Sequence, residues 1–198
     1  YIDIINELVK GKEYEEIIDL FMGSGNVILN IDTKSNCYIG NDKNKLVPNL
    51  FTTIRKLDED YNLEEFNKIL DKWNYFREKD NYYAFREYWN KKYFADEFDK
   101  DFIYETVMLL KMCSNSMVRF NQQGVFNQGF RGLSAKEEID GFFAETMKEL
   151  CIDGLNDIRI KLYNNPYLFY SGDFKDVKLP KDRDDMLIIA DPPYILRQ

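Results

Sequence analysis

The sequence contains no histidine in its 198 residues. That absence removes the commonest general base at neutral pH, the Ser-His pair of hydrolases and the commonest metal ligand together. Any chemistry the chain performs has to proceed without imidazole. Cysteines are scarce as well: Cys37, Cys113 and Cys151 are an odd number, far apart, with no C-x-x-C pair. Neither a disulfide framework nor a zinc site is expected, no metal is implied, and a reducing compartment is the default. No run approaches ~18 uninterrupted apolar residues, so nothing is expected to span a membrane. No secretory signal is visible, and Tyr1 in the first position implies that the true N-terminus lies upstream. Only five prolines occur, and 44% hydrophobic with 16% aromatic residues are ample for a sizeable core. Beside 31% charged residues, that composition excludes disorder. The length suits one domain, or a core with a modest insertion.

The net charge of −8 argues against broad nucleic-acid binding, because phosphate contacts need Lys and Arg. One stretch departs from that average. Between Thr106 and Lys136 there is no Asp or Glu, and the only charges are Lys111, Arg119, Arg131 and Lys136. Such a run reads either as chance combined with a buried helix or as a surface facing DNA, with Arg119, Asn121, Gln122 and Gln123 offering donors and acceptors for phosphates or base edges.

Along the chain, Ile2 to Val9 has helical spacing with Ile5, Leu8 and Val9 on one side. Glu16 to Phe21 reads as a strand closed by Met22-Gly23-Ser24-Gly25, and Asn26 to Leu29 opens a helix. Cys37 to Gly40 reads as a second strand ending at Asn41-Asp42. Strand, glycine loop, helix and strand make a βαβ unit, the seed of a parallel α/β sheet. From Lys43 to Cys113 the pattern is helical, with a connection at Leu57 to Asp60 and an amphipathic helix over Asn81 to Phe94. Ser114 to Leu133 loses helical character. Lys136 to Leu150 reads as a helix, with Ser134 as N-cap and Glu137 as its box partner. Tyr167 to Tyr170 is a third strand, and Met186 to Ala190 a fourth, buried one.

The chemistry-bearing residues cluster after those strands. Gly23 and Gly25 let the backbone turn tightly and approach a ligand closely. Asp42, at the end of the next strand, stands where βαβ nucleotide sites place a carboxylate for ribose hydroxyls. A third glycine is missing, since position 28 is Ile, so a nucleoside without a pyrophosphate fits better. Asp173 and Phe174 could hydrogen-bond and flank an adenine ring, although an Asp there is also a common turn residue. Asp191-Pro192-Pro193-Tyr194 ends the fourth strand as a rigid slot: the prolines remove two N–H donors and leave outward carbonyls. It offers acceptors for an amino group and a ring face for stacking.

Asp19-x-Phe21-x-Gly23-x-Gly25, Asp42 and Asp191-Pro192-Pro193-Tyr194, in this order, resemble the motifs of amino-directed DNA methyltransferases. More narrowly, they resemble the Dam-type adenine-N6 enzymes. Arg119-Phe120-Asn121-x-x-Gly124-x-Phe126-Asn127 is similar to that family's R-[FY]-N-x-x-G-x-F-N, and Tyr82-Tyr83 with Arg86 and Asn90 resembles the helix before it. The resemblance implies a Rossmann-like methyltransferase sheet, incomplete here on its C-terminal side, with a mainly helical target-recognition insertion. Residues 1–44 and 165–198 would form the cofactor and catalytic core, and 45–164 the recognition region. It implies S-adenosylmethionine, with no metal, held by Asp19, Phe21, Gly23 and Gly25 on the methionine side. Asp42 would take the ribose, and Asp173 and Phe174 the adenine moiety. Asp191 and the Pro192 carbonyl would accept from the target N6 amine, with Pro193 rigidifying the slot and Tyr194 stacked on a flipped-out base. Asn127 and Arg131 join the DNA-facing set, although Gln128-Gly129 stands where the family usually has a proline turn. A histidine-free enzyme suits this chemistry. Tyr1 begins just after the place of the family's glycine-lysine motif, and the tetrapeptide lies four residues from Gln198. The chain is therefore expected to be a fragment, a truncated gene product or an incompletely ordered enzyme. N4-cytosine methylation on a related slot, and a non-catalytic DNA-binding remnant, are the alternatives. Carbon-5 chemistry is disfavoured because no Pro-Cys pair exists. Partners implied are double-stranded DNA and a cognate restriction endonuclease, with no membrane, in a monomer or weak dimer in bacterial or phage-infected cytoplasm.

Overall fold

The structure, a computed structural model, describes residues 2–73, 79–134, 143–179 and 183–192. Two compact units emerge: residues 1–57 with 159–198, and residues 58–158.

The first unit is a four-stranded parallel sheet in the order β3-β2-β1-β4. Its strands are β1 (Glu13–Asp19), β2 (Lys34–Asp42), β3 (Tyr167–Ser171) and β4 (Met186–Ile189). The β-branched pair Ile17 and Ile18 makes β1 the buried centre, at 0% and 2% exposure. Both of its neighbours pair in parallel, Ile18 meeting Ile39 on β2 and Ile188 on β4. The helices α1 (Ile2–Val9), α2 (Asn26–Asn30) and α3 (Leu46–Lys56) belong to the same unit. α3 turns Leu46, Phe51 and Ile54 inward, and Phe51 meets Phe169 of β3 edge-on with centroids 5.2 Å apart. That packing carries α3 into the sheet unit, beyond position 44, where the sequence pattern divides the chain.

Several local expectations change. β1 begins three residues earlier than Glu16 and ends at Asp19, because Leu20 and Phe21 already belong to the turn. β2 extends over nine residues and includes Asn41 and Asp42. Of Ile5, Leu8 and Val9, only Val9 is buried, and Leu8 is 67% exposed. The sequence reads β4 as a buried parallel strand. It is an edge strand among the described residues, with Ile189 buried and Ile188 at 42% exposure, because only β1 pairs with it.

The second unit contains α4 (Leu63–Lys72), α5 (Lys79–Phe94) and α6 (Lys100–Met112). The boundary with the first unit falls inside the long helix α7 (Glu145–Asn164). Side-chain caps start two of the helices: Asn62 accepts from the Glu65 amide and Asp99 from the Phe102 amide. Trp89 centres the core, stacked on Tyr93 and Phe102 at 5.4 and 5.0 Å, and its Nε1 donates to Thr106 Oγ1 at 3.0 Å. Lys92 of α5 pairs with buried Glu105 of α6 at 2.9 Å. After α6 the chain leaves helical structure up to Leu133, apart from a single 3-10 turn at Ser114–Ser116. Two antiparallel bridges, Cys113 to Phe130 and Phe120 to Phe126, fold it into a hairpin. The expected cap pair Ser134 and Glu137 cannot be followed, since Glu137 lies outside the described residues. α7 itself runs fourteen residues past Leu150, on the row Ile152, Leu155 and Leu162. Among the described residues no helix is long and apolar enough to cross a membrane.

Candidate active site

Four parallel strands bring four carboxyl ends to one edge of the sheet. β1 ends in Asp19 and β2 in Asp42, while β3 leads into Asp173 and β4 into Asp191. The chain order reverses beside β1, whose neighbours are β2 and β4, and such switch points are where open α/β sheets bind ligands.

Backbone bonds beyond the strand ends hold the loops in register. Leu20 N donates to Ile189 O at 3.0 Å, Met22 N to Asn41 O at 2.9 Å, and Gly172 N to Asp42 O at 3.0 Å. Asn41, 2% exposed, bridges two of these loops by donating to Leu20 O at 3.2 Å and Gly172 O at 3.3 Å. The glycine loop needs its glycines. Gly23 and Gly25 have φ of 52° and 80°, and a Cβ on Gly25 would lie 2.4 Å from Phe51 Cε2. Gly23 N donates to Asp42 Oδ2 at 2.8 Å, and the other oxygen, Oδ1, accepts from Asn44 N at 2.8 Å. Asp42 thus latches the loop and retains further lone pairs.

The edge opens as a cleft of about 640 Å³. Asp19, Phe21, Gly23, Asp42, Asp173, Phe174 and Asp191 all line it. Gly25 supports the loop from behind through its bond to Met22 O at 2.7 Å. The rings of Phe21 and Phe174 meet at 5.0 Å, forming one apolar wall. Asp173 has two duties: it lines the cleft and caps a 3-10 turn by accepting from Lys175 N at 3.1 Å. Asp191 and Pro192 are exposed, while Pro193 and Tyr194 lie outside the described residues. Sequence reasoning missed Asn41, whose signal was a buried amide beside Asp42. It also missed Leu20, Met22, Ser24, Asn26, Val27, Lys43, Gly172 and Ile189, which complete the lining.

Asp19 is the electrostatic centre. It is 2% exposed, and its Oδ1 accepts from Phe21 N at 3.2 Å. Burial pushes its carboxyl up to about 6, with Asp42 and Asp191 adding like-charge repulsion and the Phe21 amide opposing the rise. The site favours a cation.

In the second unit the hairpin sorts its polar residues. Arg119, Gln122, Gln123 and Asn127 are exposed. Asn121 is turned inward on its own turn, its Oδ1 accepting from Gln123 N and Val125 N at 3.0 Å each. Arg131 is exposed but donates from Nε to Lys111 O at 2.8 Å, tying the hairpin to the end of α6. Phe126, 1% exposed, packs 5.5 Å from Trp89 as an anchor.

No curated protein matches the chain. A family model does, over residues 1–198, and its description is D12 class N6 adenine-specific DNA methyltransferase. The converging acids, the glycine loop and that full-length match lead to one conclusion: the chain belongs to the D12 class N6 adenine-specific DNA methyltransferase family.

Proposed function

We propose that the cleft at the carboxyl edge holds S-adenosylmethionine and that Asp191 receives the N6 amine of a flipped-out adenine at its mouth. The observation that carries this reading is the convergence of Asp19, Asp42, Asp173 and Asp191, from four parallel strands, on one cleft. Methylation of DNA adenine at N6 is the activity of the family, and the methyl donor that a methyltransferase family implies is S-adenosylmethionine.

The residues present fit that group. The cleft of about 640 Å³ is in the range of nucleoside-sized sites, and its acids complement a cation. When bound, S-adenosylmethionine supplies an electrophilic methyl group on a positively charged sulfur. Asp19 and its neighbouring carboxylates lower the potential around that charge. Asp42 keeps the Gly23 amide in place and directs its remaining lone pairs to ribose hydroxyls. Phe21 walls the methionine side, and Phe174, whose ring meets it at 5.0 Å, flanks the adenine moiety that Asp173 hydrogen-bonds.

The target side rests on Asp191. An aromatic amine is a poor nucleophile because its lone pair is delocalised into the ring. Hydrogen bonds from its N–H groups to the Asp191 carboxylate and the Pro192 carbonyl would localise that lone pair on the nitrogen, and Tyr194 is assigned the stacking role on the extruded base. Holding amine and methyl in line supplies most of the acceleration. Arg119, Gln122, Gln123 and Asn127 are assigned to DNA contact, and the region 45–164 to target recognition. A cognate restriction endonuclease acting on unmethylated sites is the expected functional partner, and monomer or weak dimer the expected state.

The test is transfer of labelled methyl from S-adenosylmethionine to adenine-containing duplexes by the full-length protein, with sequencing to locate the modified base. Asp191→Ala is expected to lower the rate by about 10²–10⁴-fold while duplex binding stays intact. Label found on cytosine, no label at all, or an Asp191→Ala variant as active as the parent would each sink the assignment.

A further inference from the structure

One face of α5 carries Tyr82, Arg86 and Asn90 at a spacing of four residues, so the three side chains form a row along the helix. All three end on the backbone of the hairpin's returning strand. Tyr82 Oη and Arg86 Nη1 both donate to Gln128 O, each at 2.8 Å. Asn90 Nδ2 donates to Phe126 O at 3.1 Å, and Phe126 N donates to Asn90 Oδ1 at 2.9 Å. The Asn90 amide thereby replaces a peptide group of a neighbouring strand, pairing both polar groups of a buried residue as a β-ladder would. Burial pushes the Tyr82 phenol up, which keeps it a donor. Arg86 is braced in turn by the Tyr83 ring, 4.8 Å from its guanidinium carbon.

This arrangement acts on what the hairpin presents. Phe126 and Gln128 are pinned to the helix, so the residue between them, Asn127, is driven outward and is exposed. Across the hairpin, Asn127 N reaches Arg119 O at 3.5 Å, which couples the exposed Arg119 to the same pinned strand. Beyond it the tip is closed by Asn121 N to Val125 O at 3.0 Å, leaving Gln122 and Gln123 exposed. A loop without a regular ladder has many conformations, and ordering it on binding weakens affinity. Here the ordering is done in advance by one helix face.

We infer that Tyr82, Arg86 and Asn90 are positioning residues for DNA, which touch none of it and template the hairpin that does. The inference rests on the reading that this hairpin faces DNA.

The test compares the full-length protein with Arg86→Met combined with Tyr82→Phe, which removes both donors to the half-buried Gln128 carbonyl and keeps the helix intact. Arg86→Lys is the conservative variant, and Asn90→Leu removes the second pairing. Duplex affinity is read by fluorescence anisotropy, beside KM for DNA, kcat at saturating DNA, S-adenosylmethionine affinity and melting temperature. The double variant and Asn90→Leu are each expected to weaken duplex binding and raise KM for DNA about 5- to 150-fold. Their kcat should stay within about threefold and their cofactor affinity unchanged, with Arg86→Lys close to the parent. A double variant that binds DNA as the parent does overturns the inference. So does a loss of cofactor affinity and melting temperature in step with DNA affinity, which marks a purely structural role. A parent protein that neither binds nor methylates duplexes sinks the functional reading and this inference with it, whereas a competent parent equalled by the double variant sinks the inference alone.

Discussion

At the residue scale, Asp19 sets the balance between stability and binding. Its carboxyl titrates at about 6 in the folded protein against 3.8 when unperturbed. The folded state therefore holds the proton more tightly than the unfolded one, and stability of the ligand-free protein falls as pH rises from about 4 to about 6. Above that window the ionised group opposes folding by about 3 kcal/mol relative to an unshifted carboxyl. Asp19→Asn is accordingly expected to raise the melting temperature of the ligand-free protein at pH 8, and to weaken S-adenosylmethionine binding. Calorimetric affinity of the parent should also decline as pH drops through 6. A variant that melts lower than the parent at pH 8 contradicts this account. Gly25 makes the second residue-level case. With φ at 80° and the Phe51 ring 2.4 Å from a would-be Cβ, Gly25→Ala should lower stability by about 2–4 kcal/mol in urea unfolding and abolish cofactor binding.

At the element scale, α5 and α6 are joined by Lys92 and Glu105, 8% and 2% exposed at the side chain. Removing Lys92 strands Glu105 in an apolar interface, whereas removing Glu105 leaves Lys92 its second partner, Asp99, at 3.1 Å. Lys92→Met alone should lower unfolding free energy by about 3–5 kcal/mol, Glu105→Leu alone should cost less, and the two together should recover most of the Lys92→Met loss. A double variant as weak as the sum of the singles disproves the coupling. The elements that sequence reasoning found are those whose signal is local. The apolar run of β1 and the glycine loop each carry their pattern within a few residues. What stayed hidden depends on partners distant in the chain. No local pattern shows that Asn90 pairs with Phe126, or that Asn121 serves its own turn while Gln122 and Gln123 face solvent. β4 read as buried because four apolar residues look alike at a sheet's centre and at its edge. The row Ile152, Leu155 and Leu162 of α7 was legible by spacing, but the charged residues between them masked it.

At the scale of the whole molecule, a chain of net charge −8 carries a hairpin region free of acids. Duplex affinity should therefore fall with salt along a shallow slope, set by a small number of phosphate contacts. Arg119→Ala is expected to weaken binding uniformly across sequences and reduce the slope of log K against log salt by about 1. An unchanged slope excludes Arg119 from the phosphate contacts. The sheet order has its own consequence for synthesis. Ile18 on β1 pairs with Ile188 on β4, about 170 residues later in the chain. At about 5–20 residues per second on the ribosome, that partner emerges about 10–30 s after β1. For that interval one side of β1 is an unpaired edge, and the cleft lacks its fourth wall. Asp191 arrives with β4, so the group proposed to receive the target amine is the last of the four acids to emerge.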